Sequence, residues 1–182
     1  MKVIGISGLP GSGKSLVTEM AKKRSISVIH IGDIVREEAK KRNAEVSETS
    51  VNLREEQGDH VLAKMSIEKI NKQLTNSNDP NNTVFLIEGI RSKYEVDLFR
   101  ETFKEFILLS IFSSPSARFD RIKNRKRTDD SSNYEKFLKR DERELGFGIG
   151  SAIATSDYII INDSTLENYE SQINEFFDKI IN

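Results

Sequence analysis

The feature that most constrains this chain is an octapeptide near its start, Gly8-Leu9-Pro10-Gly11-Ser12-Gly13-Lys14-Ser15. It follows an apolar run, Val3–Ile6, that is typical of a buried strand, and it opens a segment with helical periodicity. Glycines in such a turn let backbone N–H groups point inward around a di- or triphosphate, because a Cβ would block the close approach. The pattern therefore predicts a phosphate-binding loop between a strand and a helix, in preference to a glycine-rich turn that merely caps a helix.

The last two residues of this loop have distinct expected roles. The helix that follows adds the positive end of its dipole to the loop. Lys14 is placed to reach the outer phosphates of a bound nucleotide, and the Ser15 hydroxyl is placed to hold Mg²⁺. We therefore predict that residues Gly8 through Ser15 bind ATP with Mg²⁺ and that Lys14 is also catalytic.

Length and composition bound the class of protein. The 182 residues suffice for one well-buried domain, and 36% hydrophobic with 31% charged residues indicates a globular chain with a heavily charged surface. A net charge of −1 gives no strong nucleic-acid signal, and the absence of cysteine excludes disulfides and thiolate metal sites. The start of the chain has no signal-peptide pattern, and no apolar run approaches the roughly 20 residues of a membrane span. We therefore expect a cytoplasmic protein with no membrane partner.

Five short apolar runs without strict alternation are typical of strands buried on both faces. They are Val3–Ile6, Ile26–Ile31, Val84–Ile87, Phe106–Phe112 and Tyr158–Ile161, and segments with helical spacing separate them. This alternation predicts an α/β fold of the P-loop type, a five-stranded parallel sheet flanked by helices, with ligands beyond the carboxyl ends of the strands. We expect one domain over residues 1–182, with an acceptor-binding helical insert at about 32–75 and a lid region at about 125–150.

A second candidate site begins after the second predicted strand, at Gly32-Asp33-Ile34-Val35-Arg36. Gly32 permits a tight strand-to-helix turn, and Asp33 suits the N-cap of the helix. Arg36, one turn further on, is placed to direct a bidentate guanidinium at a phosphate. The alternative interpretation is an ordinary capped helix with a surface arginine.

The third predicted strand ends in Glu88-Gly89-Ile90-Arg91. This position delivers the Glu88 carboxylate to the expected Mg²⁺ side of the loop, because an acid at this point commonly binds the metal through water in phosphate-loop enzymes. It also places Arg91, together with Gly89, at the cleft where a second phosphorylated molecule would bind. Arg54 is a further candidate for the acceptor site, although an i,i+4 surface ion pair is the alternative for it.

A basic stretch follows the fourth predicted strand and contains Arg118, Arg121, Lys123, Arg125, Lys126 and Arg127. A run this charged is usually a solvated helix face, but beside a phosphate loop it can surround a transferring phosphoryl group with cations. Because Arg118 and Arg121 lie within the helix, the pattern favours Arg125 and Arg127, together with Arg140, as functional residues. Asp129 and Asp130 are expected either to latch these arginines or to cap the next helix.

Together these motifs resemble the adenylate-kinase-related branch of phosphate-loop kinases. Gly8–Ser15 matches the ATP loop of that family, and Gly32-Asp33-x-x-Arg36 resembles its monophosphate-binding turn. Glu88-Gly89-Ile90-Arg91 resembles its Asp-Gly-x-x-Arg stretch, with Glu for Asp and one residue fewer. Arg127-Thr128-Asp129-Asp130 with Arg140 resembles its lid signature, although the lid here is short. The resemblance implies a nucleoside-monophosphate-kinase-like fold in which Arg36 and Arg91 hold the acceptor phosphate, while Arg127 and Arg140 contact the transferring phosphates.

A second resemblance is to dephospho-coenzyme A kinases, and it rests on the segment Ser156–Asp163 before the last helix. In those enzymes an Asp near the end of the second strand is the catalytic base, and Asp33 stands at the corresponding place. The combination, which includes Arg140–Leu145 and Gly146–Gly150, is similar to an archaeal group described as adenylate-kinase-related and covers nearly the whole chain. The residues Gly146–Gly150 are interpreted as a hinge or turn.

Three functions follow from these observations. The leading prediction is a kinase that moves the γ-phosphoryl of Mg-ATP to a nucleotide-like acceptor, with a nucleoside monophosphate such as AMP as the best guess. The first alternative is phosphorylation of a hydroxyl, as in dephospho-coenzyme A, for which Asp33 would accept the proton. The second is a nucleotide-gated binding module with weak ATPase activity. Asn162 is expected either to flank the adenine or to end a strand, and His30 to finish a strand.

Overall fold

The central strand of the sheet is β1 (Lys2–Ser7), and its side chains from Val3 onwards are apolar or small, so that both of its faces are buried under helices. The structure is a computed structural model that describes residues 1–75, 79–80, 82–125 and 133–181. The other strands are β2 (Ser27–His30), β3 (Val84–Ile90), β4 (Phe106–Phe112) and β5 (Tyr158–Ile161). Their order is β2-β3-β1-β4-β5, and every neighbouring pair is parallel. This confirms the predicted five-stranded parallel sheet.

Helices follow the strands and cover both faces of the sheet. In the described residues they are α1 (Lys14–Lys23), α2 (Ile31–Arg42), α3 (Val46–Gln57), α4 (Val61–Thr75), α5 (Lys93–Thr102), α6 (Pro115–Arg125), α7 (Tyr134–Gly146), α8 (Ile149–Ala154) and α9 (Leu166–Ile181). Within this part of the chain, none is long and apolar enough to cross a bilayer.

Two buried clusters hold the layers together. One packs β1, β4 and β5 against α1 and α9, and its largest members include Tyr169 and Phe177. The other packs the opposite face against α2, α3, α4 and α5, with Phe85 and Phe99 at its centre. Because strands β1 and β3 are wedged between both clusters, the loops at their carboxyl ends start from rigid positions.

Helix α2 begins directly after β2, and this corrects one local prediction. The N-cap residue is His30, and Asp33 lies within the first turn of the helix. Asp33 is therefore not the N-cap. Its charge instead lies near the positive end of the helix dipole, which is a favourable position for an acid.

Two helices were not predicted, α3 (Val46–Gln57) and α8 (Ile149–Ala154). Helix α8 begins inside the glycine-rich segment that was interpreted as a hinge or turn, with Gly148 (φ +93°) as its N-cap. The division into one domain with an acceptor insert and a lid stays a prediction. Helices α2, α3 and α4 occupy the range predicted for the insert, whereas residues 126–132 of the predicted lid lie outside the described residues.

Candidate functional site

The carboxyl ends of β1 and β3 open into a cavity of about 570 Å³. Six residues of the loop line it, together with side chains from several other elements; the six are Gly8, Pro10, Gly11, Gly13, Lys14 and Ser15. The lining residues outside the loop that matter most here are Gly32, Arg36, Glu88, Gly89, Arg91, Arg121, Arg125, Arg140, Glu144, Asn162 and Tyr169. The structure thus brings the predicted phosphate loop together with most of the residues that were predicted for metal and acceptor.

The backbone of the loop requires glycine at two points in particular. Gly8 has φ +141° and Gly13 has φ +108°, conformations that L side chains rarely adopt. A Cβ on Gly8 would lie 2.5 Å from the carbonyl oxygen of Ile111, and one on Gly13 would collide with the side-chain amide of Asn162. The loop is therefore a cradle that any larger residue would fill.

Six consecutive carbonyl oxygens of the loop, from Gly8 to Gly13, each accept a hydrogen bond from a side chain. The donors are Lys14 Nζ to Gly8 (2.5 Å) and Leu9 (3.1 Å), Arg118 Nη1 to Pro10 (3.2 Å), Arg121 Nη1 to Gly11 (3.4 Å), Asn162 Nδ2 to Ser12 (2.8 Å) and Tyr169 Oη to Gly13 (3.1 Å). Because these carbonyls are engaged by the protein, their negative partial charge is neutralised where it would otherwise repel a phosphate.

Four of these donors lie far from the loop in sequence, and the predictions from sequence missed them in this role. Arg118 is 2% exposed and forms a bidentate ion pair with Asp141 of α7, at 2.8 and 2.5 Å. Arg121 also donates to the carbonyl of Asn162 at 2.7 Å, so it braces the loop while lining the cavity. The sequence pattern favoured Arg125 over Arg121 as a functional residue, whereas the structure places both of them in the lining of the cavity.

Tyr169 carries a sequence signal that could have indicated this role. It occupies the apolar face of α9 and is 2% exposed, and a buried phenol normally requires a hydrogen-bond partner. Burial also raises the pKa of Tyr169, so the hydroxyl remains a donor across the physiological range. Asn162 directly follows β5, as expected of a strand-ending residue, and its buried amide also donates to the Ser12 carbonyl, a role that neither alternative included.

The charges of Lys14 and Glu88 shape the electrostatics of the cavity. Burial lowers the pKa of Lys14 to about 8, although the nearby Glu88 carboxylate opposes this shift. Burial alone would raise the pKa of Glu88, but a hydrogen bond from His30 Nδ1 (2.9 Å) and the charge of Lys14 outweigh it and lower the pKa. Glu88 is therefore ionised at neutral pH, and a bound polyphosphate would stabilise the charged form of Lys14.

A bulge in β3 explains how four consecutive residues reach the cavity. The register between β1 and β3 shifts after Ile6, which pairs with Glu88, so that Ser7 pairs with Ile90. Gly89 is the extra residue and has φ +101°. In a regular strand only alternate residues share a face, whereas here Glu88, Gly89, Ile90 and Arg91 all line the cavity.

The oxygen atoms in the cavity suit a magnesium ion that receives most of its coordination from a bound nucleotide and water. Ser15 and Glu88 both line it, and hydroxyl and carboxylate oxygens are the ligands that Mg²⁺ prefers. Among the described residues, no group of three or more His, Asp or Glu side chains forms a metal cluster. Mg²⁺ would therefore need phosphate oxygens and water to complete its coordination, which is its usual arrangement at nucleotide sites.

A second cavity of about 690 Å³ lies between α2, α3 and α7. It shares five lining residues with the first: Gly32, Arg36, Arg91, Arg140 and Glu144. Arg91 Nε lies 3.2 Å from Glu144 Oε2, and this buried carboxylate fixes the orientation of the guanidinium. Predicted acceptor residues thus stand on the wall common to both cavities.

Three predicted site residues occupy other positions. Asp33 forms an ion pair with Arg36, and in the described part of the chain it is not among the residues that line either cavity. Arg54 likewise lines neither; it pairs with the buried Glu95 at 3.0 Å and lies 4.7 Å above the Phe147 ring. Arg54 also donates to Ser50, four residues before it, at 2.7 and 2.9 Å, so it has an i,i+4 partner, but its side chain is only 9% exposed and the pair is not a surface ion pair. Arg127 lies outside the described residues.

Comparison with known proteins places the chain in a family. A family model described as an AAA domain matches residues 7–137. A UPF0200 protein of Methanothermobacter thermautotrophicus is 44% identical over 180 residues, which cover 99% of this chain and 91% of the relative. A UPF0200 protein of Thermococcus onnurineus is 40% identical over 186 residues, and the match covers 98% of each chain. The chain belongs to the UPF0200 family.

Solved structures with the same fold as this UPF0200 chain include P-loop kinases. Shikimate kinase from Bacteroides thetaiotaomicron superimposes with a TM-score of 0.62 at 13% identity, over 98% of this chain and 97% of that one. TT1252 from Thermus thermophilus gives 0.61 at 17% identity, with the same coverage. At these identities the likeness shows the fold alone, and it confirms the predicted P-loop kinase-like architecture.

Replacing Lys14 with Met tests the charge in the loop. At pH 7 the variant should lose the thermal stabilisation that Mg-ATP gives the wild type, about 2.7 kcal/mol at a hundred times the dissociation constant.

The charge of Lys14 also affects stability without nucleotide. Between pH 8 and about 10.5 the wild type should gain stability, because the folded chain has already released the Lys14 proton while the unfolded chain still binds it. Thermal unfolding of both proteins checks this, with Lys23→Met as control; an identical pH profile in the Lys14 variant would refute the assignment.

Replacing Tyr169 with Phe removes only the hydroxyl that donates to Gly13. We expect a loss of about 1 kcal/mol in unfolding free energy and a drop of roughly threefold to tenfold in Mg-ATP affinity, because one loop carbonyl loses its partner. Titration calorimetry and thermal melts measure both quantities. The matched control is Tyr158→Phe, since Tyr158 packs on Phe176 away from the loop. Unchanged nucleotide affinity in the Tyr169 variant would show that its hydroxyl does not support the loop.

Proposed function

We propose that this protein is an ATP-dependent phosphotransferase that moves the γ-phosphoryl of Mg-ATP to a nucleoside monophosphate such as AMP. The observation that carries the proposal is the common wall of the two cavities, where Arg36, Arg91 and Arg140 lie between the phosphate loop and the second cavity. Two anionic ligands placed on either side of such a wall would meet at three guanidinium groups. Such an arrangement would supply the positioning and the cationic charge on which phosphoryl transfer depends.

In this proposal the loop holds the donor. Residues Gly8 through Ser15 would cradle the ATP phosphates, and Lys14 would leave its contacts with Gly8 and Leu9 to reach the outer phosphates. Ser15 and the ionised Glu88 would hold Mg²⁺, which when bound would neutralise charge on the phosphate oxygens. His30 would keep Glu88 oriented through its 2.9 Å hydrogen bond.

The arginines would hold the acceptor. Gly32 leaves room at the start of α2, and Arg36 and Arg91 would bind the acceptor phosphate while Arg140 contacts the transferring group. Arg54 would act through Glu95, because Glu95 accepts both the Arg54 guanidinium (3.0 Å) and the Arg91 backbone N–H (2.7 Å). Burial raises the pKa of Glu95 while the Arg54 charge opposes this, so the pair helps fix the backbone that carries Arg91. Arg127 stays a predicted contributor from the lid.

The position of Asp33 favours a phosphate acceptor over a hydroxyl acceptor. A phosphate is already ionised at neutral pH and needs no base, so positioning and cations suffice. A hydroxyl acceptor would need a carboxylate within hydrogen-bond reach to take its proton. Asp33 is instead paired with Arg36, and in the described part of the chain it lines neither cavity.

Coupled-assay kinetics with Mg-ATP and each nucleoside monophosphate test the proposal. We expect Arg36→Ala and Arg91→Ala to lower kcat/KM for the acceptor by about 10²- to 10³-fold, because each removes a charged phosphate contact, while the KM for ATP changes little. The matched control is Lys104→Ala, an exposed residue at the far end of the sheet.

The same assay separates the alternatives. Asp33→Asn should retain activity within about tenfold, because it acts only beside Arg36; a loss beyond about a hundredfold would favour the hydroxyl acceptor. Slow ATP hydrolysis that no small acceptor accelerates would favour the nucleotide-gated binding module instead.

A further inference from the structure

The wall of the second cavity formed by α7 carries more positive charge than one acceptor phosphate needs. Lys136, Lys139, Arg140 and Arg143 follow the spacing i, i+3, i+4, i+7, which places them on one face of the helix, and all four line the cavity. The adjacent face of α7 is buried through Phe137, Asp141 and Glu144, which holds the helix in its present rotation and keeps these charges towards the cavity.

The charges on the described lining of this cavity are unbalanced. The six cations are Arg36, Arg91, Lys136, Lys139, Arg140 and Arg143, and the two carboxylates are Glu45 and Glu144. Glu144 is already engaged by Arg91 at 3.2 Å and lies 3.7 Å from Arg143. Within the residues that the structure describes, no carboxylate lies within ion-pair distance of Lys136 or Lys139. A cavity with this excess of cations is suited to an anionic guest.

One phosphate would not use all of these groups. The proposed acceptor phosphate occupies the common wall with Arg36, Arg91 and Arg140. Lys136 lies one helical turn before Arg140, about 6 Å along the helix axis, and on the far side of the wall from the phosphate loop. A second phosphate bound by Lys136 and Lys139, which both precede Arg140 on the helix, would therefore be separated from the first by roughly the distance between two phosphates on one ribose.

We propose that the preferred acceptor is not AMP itself but a nucleoside monophosphate that carries a second phosphate group, away from the reacting one, and that Lys136 and Lys139 bind this second group. The inference rests on the proposed function, because it assumes that the second cavity is the acceptor site. The guest is a small molecule, since the cations are confined to one wall of a bounded cavity of about 690 Å³ and the chain has a net charge of −1. An extended polyanion would instead require a basic surface.

Titration calorimetry in the presence of magnesium and a non-hydrolysable ATP analogue tests this without turnover. The probes are AMP and adenosine 3′,5′-bisphosphate, and the variant is Lys136→Ala combined with Lys139→Ala. We expect the wild type to bind the bisphosphate about tenfold or more tightly than AMP, and the double variant to reduce this ratio to below about threefold with AMP affinity little changed. The matched control combines Lys22→Ala with Lys104→Ala, both exposed and outside the cavity, and should keep the wild-type ratio.

The other outcomes overturn the inference in distinguishable ways. Equal affinity for both probes in the wild type, or a ratio that survives in the double variant, would overturn the second-phosphate site and leave the proposed function standing. Binding of neither probe, while Mg-ATP still binds, would overturn the acceptor assignment itself. Tighter binding of a 5′-phosphorylated oligonucleotide than of the bisphosphate, with the same dependence on the two lysines, would overturn the small-molecule assignment in favour of a nucleic acid.

Discussion

The whole site depends on how the carbonyl groups of residues 8–13 are held. A glycine-rich loop has little conformational preference of its own, and its backbone entropy must be overcome by contacts from outside. Lys14 holds the first two of these carbonyls, and the contacts to the other four come from α6, from the end of β5 and from α9, through Arg118, Arg121, Asn162 and Tyr169. Segments more than 100 residues apart in sequence thus converge on one turn. The phosphate loop is shaped by the packed chain and not by its own sequence alone.

The same contacts tie the loop to the acceptor wall. Arg118 connects the Pro10 carbonyl to Asp141 on α7, and α7 carries Arg140 and Glu144. Glu144 in turn orients Arg91 at the end of β3. Because the Arg118–Asp141 pair is bidentate and largely buried, displacement of the loop would disturb α7, and α7 carries the Glu144 that contacts Arg91. The phosphate loop and the wall common to the two cavities are therefore connected by one continuous network in the described part of the chain.

Much of this was predictable from sequence, for identifiable reasons. The strands follow from runs such as Phe106–Phe112, and Lys14, Arg36 and Arg91 from their places next to strand ends. Helix α3 was missed because its buried face includes the polar Thr49 and Ser50, which leaves little apolar periodicity. Helix α8 was missed because the glycines of 146–150 favour a turn. Asn162 and Tyr169 act only through tertiary contacts, so a single sequence indicates their burial but not their partners.

The central claim is that a donor phosphate site and an acceptor phosphate site face each other across Arg36, Arg91 and Arg140. The most direct measurement is calorimetry with a bisubstrate analogue, two adenosines joined by five phosphates, compared with ATP and AMP bound separately. If both sites are engaged together, the analogue should bind at least about a hundredfold more tightly than ATP, and Arg91→Ala should remove most of that gain. An analogue that binds no better than ATP, with or without Arg91, would contradict the two-site account.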